Sequence, residues 1–179
     1  MRLFHFSDDP DIASFEPRPV RMPAARPPGQ EWLNGPLVWA IDEAHQQLYL
    51  FPRECPRIVI WTRPDSAPAD QDRWLGGLQP GMRAMAFIES AWAERVCQGQ
   101  IHRYELPPGP FESLEDAGMR VSRQAVLPVA RELLADLPAA LRASRTELRV
   151  VDSLAPLRPL WGSSLHASGI RLRNAASWV

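Results

Sequence analysis

Lysine is absent from this chain. All 20 basic residues are arginine, so neither Schiff-base chemistry nor an amine nucleophile from a side chain is open to it. Cysteine is scarce: Cys55 and Cys97 stand far apart with no CxxC spacing, which excludes a disulfide framework, a zinc cluster and a thioredoxin-like pair. Both lie beside apolar stretches and read as buried free thiols. Long hydrophobic runs are missing too. No stretch approaches the ~20 apolar residues of a membrane-spanning helix, and the opening MRLFHFSDD turns acidic at once, unlike a signal peptide. The expectation is a cytoplasmic protein that spans no membrane. Excess charge of either sign is also lacking. A net charge of −1 supplies no field for non-specific nucleic-acid binding. Nor is there a P-loop, GxGxxG, GxSxG, HExxH or zinc-deaminase signature. No metal is expected.

What is present suits one globular domain over 1–179, 45% hydrophobic and 23% charged, long enough to bury roughly 70% of its unfolded surface. Apolar runs rich in β-branched residues predict strands over 3–6, 37–41, 57–61, 84–88, 101–106 and 148–151, with short strands over 119–121 and 125–129. Helices are predicted from Ser7 to before Pro17, from Asp42 to Pro52, over 89–96, over 131–145 with Pro138 breaking it or beginning a second piece, and over 154–165. The proline-rich stretches 17–36 and 62–81 read as loops, the first long enough to be mobile and functional. Many short strands with few, short helices predict an α+β fold.

In the opening strand, alternation puts His5 and Ser7 on one face and Phe4 and Phe6 on the other. Two hydrogen-bonding side chains two residues apart can grip a ribose. Spacing alone favours a plainer reading, a histidine satisfied by a backbone carbonyl beside a capping serine. Arg53 and Arg57 flank Cys55 and Pro56 as an anion-binding pair or as arginines at a helix end. Asp42 and His45 read as a helix cap with an exposed ring, and Glu89, at the end of an apolar strand, as a buried acid or, more plainly, a cap of the next helix. The tail from Ser163 to Asn174 carries His166, Ser168, Arg171 and Arg173, either lining a site with His5 or forming the solvated face of a closing strand.

LFHFS resembles the first strand of ADP-ribosyltransferase-like folds, in which a histidine followed two residues later by threonine or serine contacts the nicotinamide ribose. Residues 99–129 are similar to the closing half of the small rifampin ADP-ribosyltransferases, on the matches Gly109-Pro110-Phe111-Glu112 and Val121-Ser122-Arg123. The whole chain also resembles a bacterial family of uncharacterised proteins through LFHFS, WAID and SGIRLRNA. The resemblance implies an ADP-ribosyltransferase-like split sheet of short, mostly antiparallel strands, with NAD as cofactor. It implies that His5 and Ser7 hold the ribose, that Trp39 stacks on nicotinamide, and that Glu112, Glu115 or Asp116 stabilises the oxocarbenium-like cation as nicotinamide leaves. Ser122, Arg53, His166 and Arg171 complete the cofactor-binding candidates. Phe6 stands where those transferases carry glycine, and Trp39 where they carry tyrosine.

The leading expectation is therefore a protein that binds NAD, an ADP-ribosyl compound or another small nucleotide and, in its enzymatic form, transfers ADP-ribose to an acceptor that the sequence does not specify. Two other readings stay open. One is a non-catalytic binding or regulatory protein on the same scaffold, favoured by Phe6. The other is a phosphotransferase or hydrolase of nucleotide ends in which Arg18, Arg53, Arg171 and Arg173 replace the carboxylates.

Overall fold

The computed structural model describes residues 1–178. In chain order its strands and helices are β1 (Leu3–Ser7), β2 (Val38–Asp42), β3 (Arg57–Trp61), α1 (Pro68–Leu75), β4 (Ala84–Glu89), α2 (Ser90–Cys97), β5 (Ile101–Leu106), β6 (Glu112–Ser113), β7 (Met119–Ser122), β8 (Ala130–Leu134), α3 (Leu137–Ala143), β9 (Thr146–Val151) and β10 (His166–Ile170), with short 3-10 turns between them. The fold is α+β. Contacts divide the chain into two compact units interleaved in sequence, 1–46 with 102–133 and 47–101 with 134–179. Each holds one sheet. None of the described helices is long and apolar enough to cross a membrane.

The first unit carries the six-stranded sheet in the order β6-β7-β2-β1-β5-β8. β1 is central, antiparallel to β2 and to β5. One face buries Leu3, Val38, Ala40, Tyr104 and Leu106 against Phe15, Phe111 and Val126. On the other, Trp39, Val121 and Leu37 pack with Leu33 and Leu114. Burying each large side chain contributes roughly 1.5–3 kcal/mol.

No helix follows Ser7. Ser7 Oγ accepts the amide of Asp9, and Asp9 Oδ1 that of Asp11, local bonds that compete with helical ones. Buried Tyr104 donates its hydroxyl to the Asp9 carbonyl at 2.7 Å and accepts from the Ile12 amide at 3.3 Å. Phe15 then bridges to Val126, and the segment is held extended. The proline-rich stretch is pinned as well. Arg18 pairs with Leu37, and Asn34 both donates to the Ala24 carbonyl and accepts its amide.

The second unit carries the sheet β10-β3-β4-β9, with β4 antiparallel to β3 and parallel to β9. All six residues of β4 are buried, as befits a strand covered on both faces. α1 lies inside the stretch expected to be loop, and begins at Pro68 because proline suits a first turn. The long helix expected from Arg131 is replaced by the exposed edge strand β8 and the short α3. Asp136 Oδ1 caps α3 through the Ala139 amide, with Pro138 in its first turn, so of the two roles expected of Pro138 it takes the second and begins a separate helical piece. In β8 sheet pairing overrides the helical preference of Ala-Arg-Glu-Leu-Leu. Cys55 is buried as expected, whereas Cys97, the last residue of α2, is exposed.

Candidate functional site

The β1–β2 register decides which candidates meet. Leu3 lies opposite Asp42 and Phe4 opposite Ile41, and cross-strand partners share a face. Odd positions of β1 therefore share a face with even positions of β2. His5 and Ser7 fall on the side of Leu3 and Ala40, while Trp39 falls on the side of Phe4 and Phe6. The His5 ring packs on Phe15 at 4.7 Å between centroids. Its Nδ1 lies 2.8 Å from the Trp39 carbonyl oxygen, so that nitrogen carries the proton it donates. Ser7 is spent on the Asp9 amide.

Trp39 lies opposite Val121, and Val121 opposite Glu112. The three form one cross-strand row, which puts Trp39 and Glu112 on the same face about 10 Å apart at two strand spacings. Glu112 pairs with Arg123 at 2.9 Å, whose guanidinium covers the exposed Trp32 ring at 4.6 Å. At the other end of the row, Arg26 from the proline-rich stretch lies over Trp39 with its guanidinium carbon 6.0 Å from the ring centroid. Arg26 Nε and Trp39 Nε1 are both buried with no hydrogen-bond partner in the protein. This face thus presents two indoles, each beneath an arginine, with one carboxylate along the row.

Glu115 and Asp116 are exposed in the tight turn joining β6 to β7, away from the sheet rows. Three residues of that turn have left-handed backbone, Glu115, Ala117 and Gly118, at φ 53°, 43° and 72°. Met119 closes the turn by donating to the Asp116 carbonyl at 2.8 Å. Gly118 is required for a second reason, since a Cβ there would meet Asp42 Oδ1 at 2.4 Å and His45 Nδ1 at 2.5 Å. Beneath it, Asp42 Oδ1 accepts both the amide and the Nδ1 of His45, at 2.9 and 2.7 Å. Asp42 is the cap expected, but its histidine is half-buried and hydrogen-bonded to it rather than exposed. Buried Ser122 serves a turn, donating to the Gln124 carbonyl and accepting its amide.

Arg53, His166 and Arg171 belong to the second unit. Arg171 donates to the Arg53 carbonyl and pairs with Glu54. Arg173 and Asn174 converge on the same carboxylate, and the Asn174 amide, with the nearby arginines, holds Glu54 below the usual carboxylate range. His166 stacks on Trp61 at 4.0 Å. Arg57 is buried, donating to the Leu48 and Cys55 carbonyls; burial pushes it down to about 10. The same burial pushes the Cys55 thiol up to about 12, which leaves it unreactive. Glu89 stands at the N-cap position of α2 but its side chain does not cap it: it is a buried acid whose carboxylate accepts the amides of Leu154 and Ala176.

Sequence reasoning gave no site role to Arg26, Trp32 or Arg123, which complete the aromatic face, although Arg123 lies in one of the matched motifs. The proline-rich stretch was itself a signal, but Arg26 becomes legible only once Asn34 is seen to fold that stretch back. Among the described residues, no group of three or more His, Cys, Asp or Glu side chains gathers where a metal could be held. No curated protein and no solved structure matches the chain. One family model does, over residues 4–175. With nearly the whole sequence inside that match, the chain belongs to a family of unknown function, DUF6886.

Proposed function

We propose that the first unit binds a nucleotide or an ADP-ribosyl compound such as NAD on its tryptophan–arginine face, and does so as a binding protein rather than as a transferase. The observation that supports this is the run Arg26–Trp39, Val121, Glu112, Arg123–Trp32 along one face of β2, β7 and β6. Indole faces accept planar rings, and guanidinium groups pair with phosphates. Transfer of ADP-ribose asks for more, namely a carboxylate and a ribose-gripping pair converging on one anomeric carbon. In this protein His5 and Ser7 occupy the face opposite Trp39 and Glu112. The fold is then the ADP-ribosyltransferase-like scaffold that the sequence resembles, kept for binding with Phe6 in place of glycine.

Calorimetry with NAD and ADP-ribose tests this on the wild type, Trp39→Ala and His5→Ala. Micromolar binding that Trp39→Ala abolishes and His5→Ala leaves within a few fold is the expected outcome, with no nicotinamide released on prolonged incubation. Absence of heat with both ligands would sink the ligand reading. Nicotinamide release abolished by Glu112→Gln would restore the transferase.

A further inference from the structure

We infer that Arg26 Nε and Trp39 Nε1 form a two-donor clamp for an anionic oxygen, the phosphoryl group of the ligand proposed above, and the inference rests on that reading. Both nitrogens are buried and neither meets an acceptor in the protein. Buried donors are rarely left without one, and a charged donor least of all. These two come from neighbouring side chains, the Arg26 guanidinium carbon lying 6.0 Å from the Trp39 ring centroid, so a single acceptor between them can serve both.

The acceptor's charge follows from the surroundings. Arg26 has no carboxylate partner among the described residues, and Glu112, the acid of the same row, is already paired with Arg123. An oxyanion is the group that answers an uncommitted guanidinium and an indole N–H together. The position of Arg26 is set by the backbone. Asn34 grips both the amide and the carbonyl of Ala24, two residues earlier, and Pro27 and Pro28 follow directly, fixing the backbone beyond it. The backbone that carries Arg26 is fixed before any ligand arrives, which lowers the ordering cost of binding, while the two nitrogens are themselves closed to solvent, so the Arg26 side chain shifts to admit the anion.

The test uses the full chain with 15N-labelled indoles. Seven tryptophans make the spectrum readable, and Trp39→Phe assigns the resonance of interest. The probes are ADP-ribose, inorganic pyrophosphate and phosphate-free adenosine. The clamp predicts that ADP-ribose and pyrophosphate move the Trp39 indole proton downfield. It also predicts that Arg26→Gln weakens ADP-ribose by about tenfold or more, the worth of a charge-assisted bond, while adenosine affinity stays unchanged. Binding of ADP-ribose that Arg26→Gln does not weaken overturns the clamp and leaves the nucleotide reading standing. Pyrophosphate that moves the resonance while ADP-ribose binds no better than pyrophosphate upholds the clamp and removes the nucleotide. If no probe moves the resonance, an ordered water satisfies both donors and the clamp is overturned.

Discussion

In the unit formed by 47–101 and 134–179, buried charges are answered by the protein's own backbone. Glu89 takes two amides and Arg57 gives to two carbonyls while lying over the Tyr49 and Phe51 rings. In the unit formed by 1–46 and 102–133, Arg26 Nε, Trp39 Nε1, His102 Nδ1 and Arg120 Nε are buried without a partner. Unsatisfied buried groups are costly, roughly 1–3 kcal/mol each, and native proteins tolerate them mainly where they serve a purpose. On the reading proposed above, the second unit serves architecture and the first serves binding.

The sharpest way to break that contrast is Glu89→Ala, which strips the buried Leu154 amide and the part-buried Ala176 amide of their acceptor. A loss of roughly 2–5 kcal/mol is expected, read as a lowered urea midpoint, with faster amide exchange at Ala176. A loss below about 1 kcal/mol would mean that this carboxylate is not structural. Next is Gly118→Ala in the first unit, where the left-handed backbone alone costs about 1–3 kcal/mol and the new Cβ presses on Asp42 and His45. Asparagine tolerates the φ but keeps the Cβ, so Gly118→Asn is expected to rescue little, as the same midpoint would report.

Acid gives a smaller, graded effect. Glu54, held down by Asn174, and Asp70, held down by the amide and hydroxyl of Ser164, lie below the usual carboxylate range. A depressed carboxylate contributes stability above its unfolded value, and that contribution is lost as pH falls through the folded one. Below about pH 4 amide protection at 164 and 171–174, corrected for intrinsic exchange, should fall before that of β1 and β2. In the first unit only Glu105, bonded to Arg2, is lowered among the described residues, so simultaneous loss would erase this difference. Smallest of all is Arg26→Met. Removing a donor that lacks an acceptor relieves its desolvation cost and gives up only its contact with the Trp39 ring, so no loss of stability is expected by thermal unfolding. A clear loss would show that Arg26 is structural after all.

Much of the fold was legible in local pattern. β3 and β5 match their predicted bounds, because RIVIW is β-branched and IHRYEL alternates. β8 was not, since its residues prefer helix and only pairing with β5 makes them a strand. The helix expected after Ser7 failed because Tyr104, far away in sequence, holds the backbone open. The site was half legible for a related reason. Alternation within β1 correctly put His5 and Ser7 together, but no single strand encodes its register with the next. A slip of one residue between β1 and β2 would have brought Trp39 to the face of His5. Leu3 opposite Asp42 fixes the other outcome.

The interleaving of the two units has a consequence during synthesis. β1 pairs with β5 along its whole length, yet roughly 95 residues separate them, which at about 5–20 residues per second is some 5–20 s of translation. Throughout that interval Leu3, Phe4 and an open strand edge wait without their partner, the exposure that invites association with other chains. Cells making this protein quickly would feel that delay as a demand on chaperones. A permuted chain in which 102–133 is joined directly to 1–46 would shorten it.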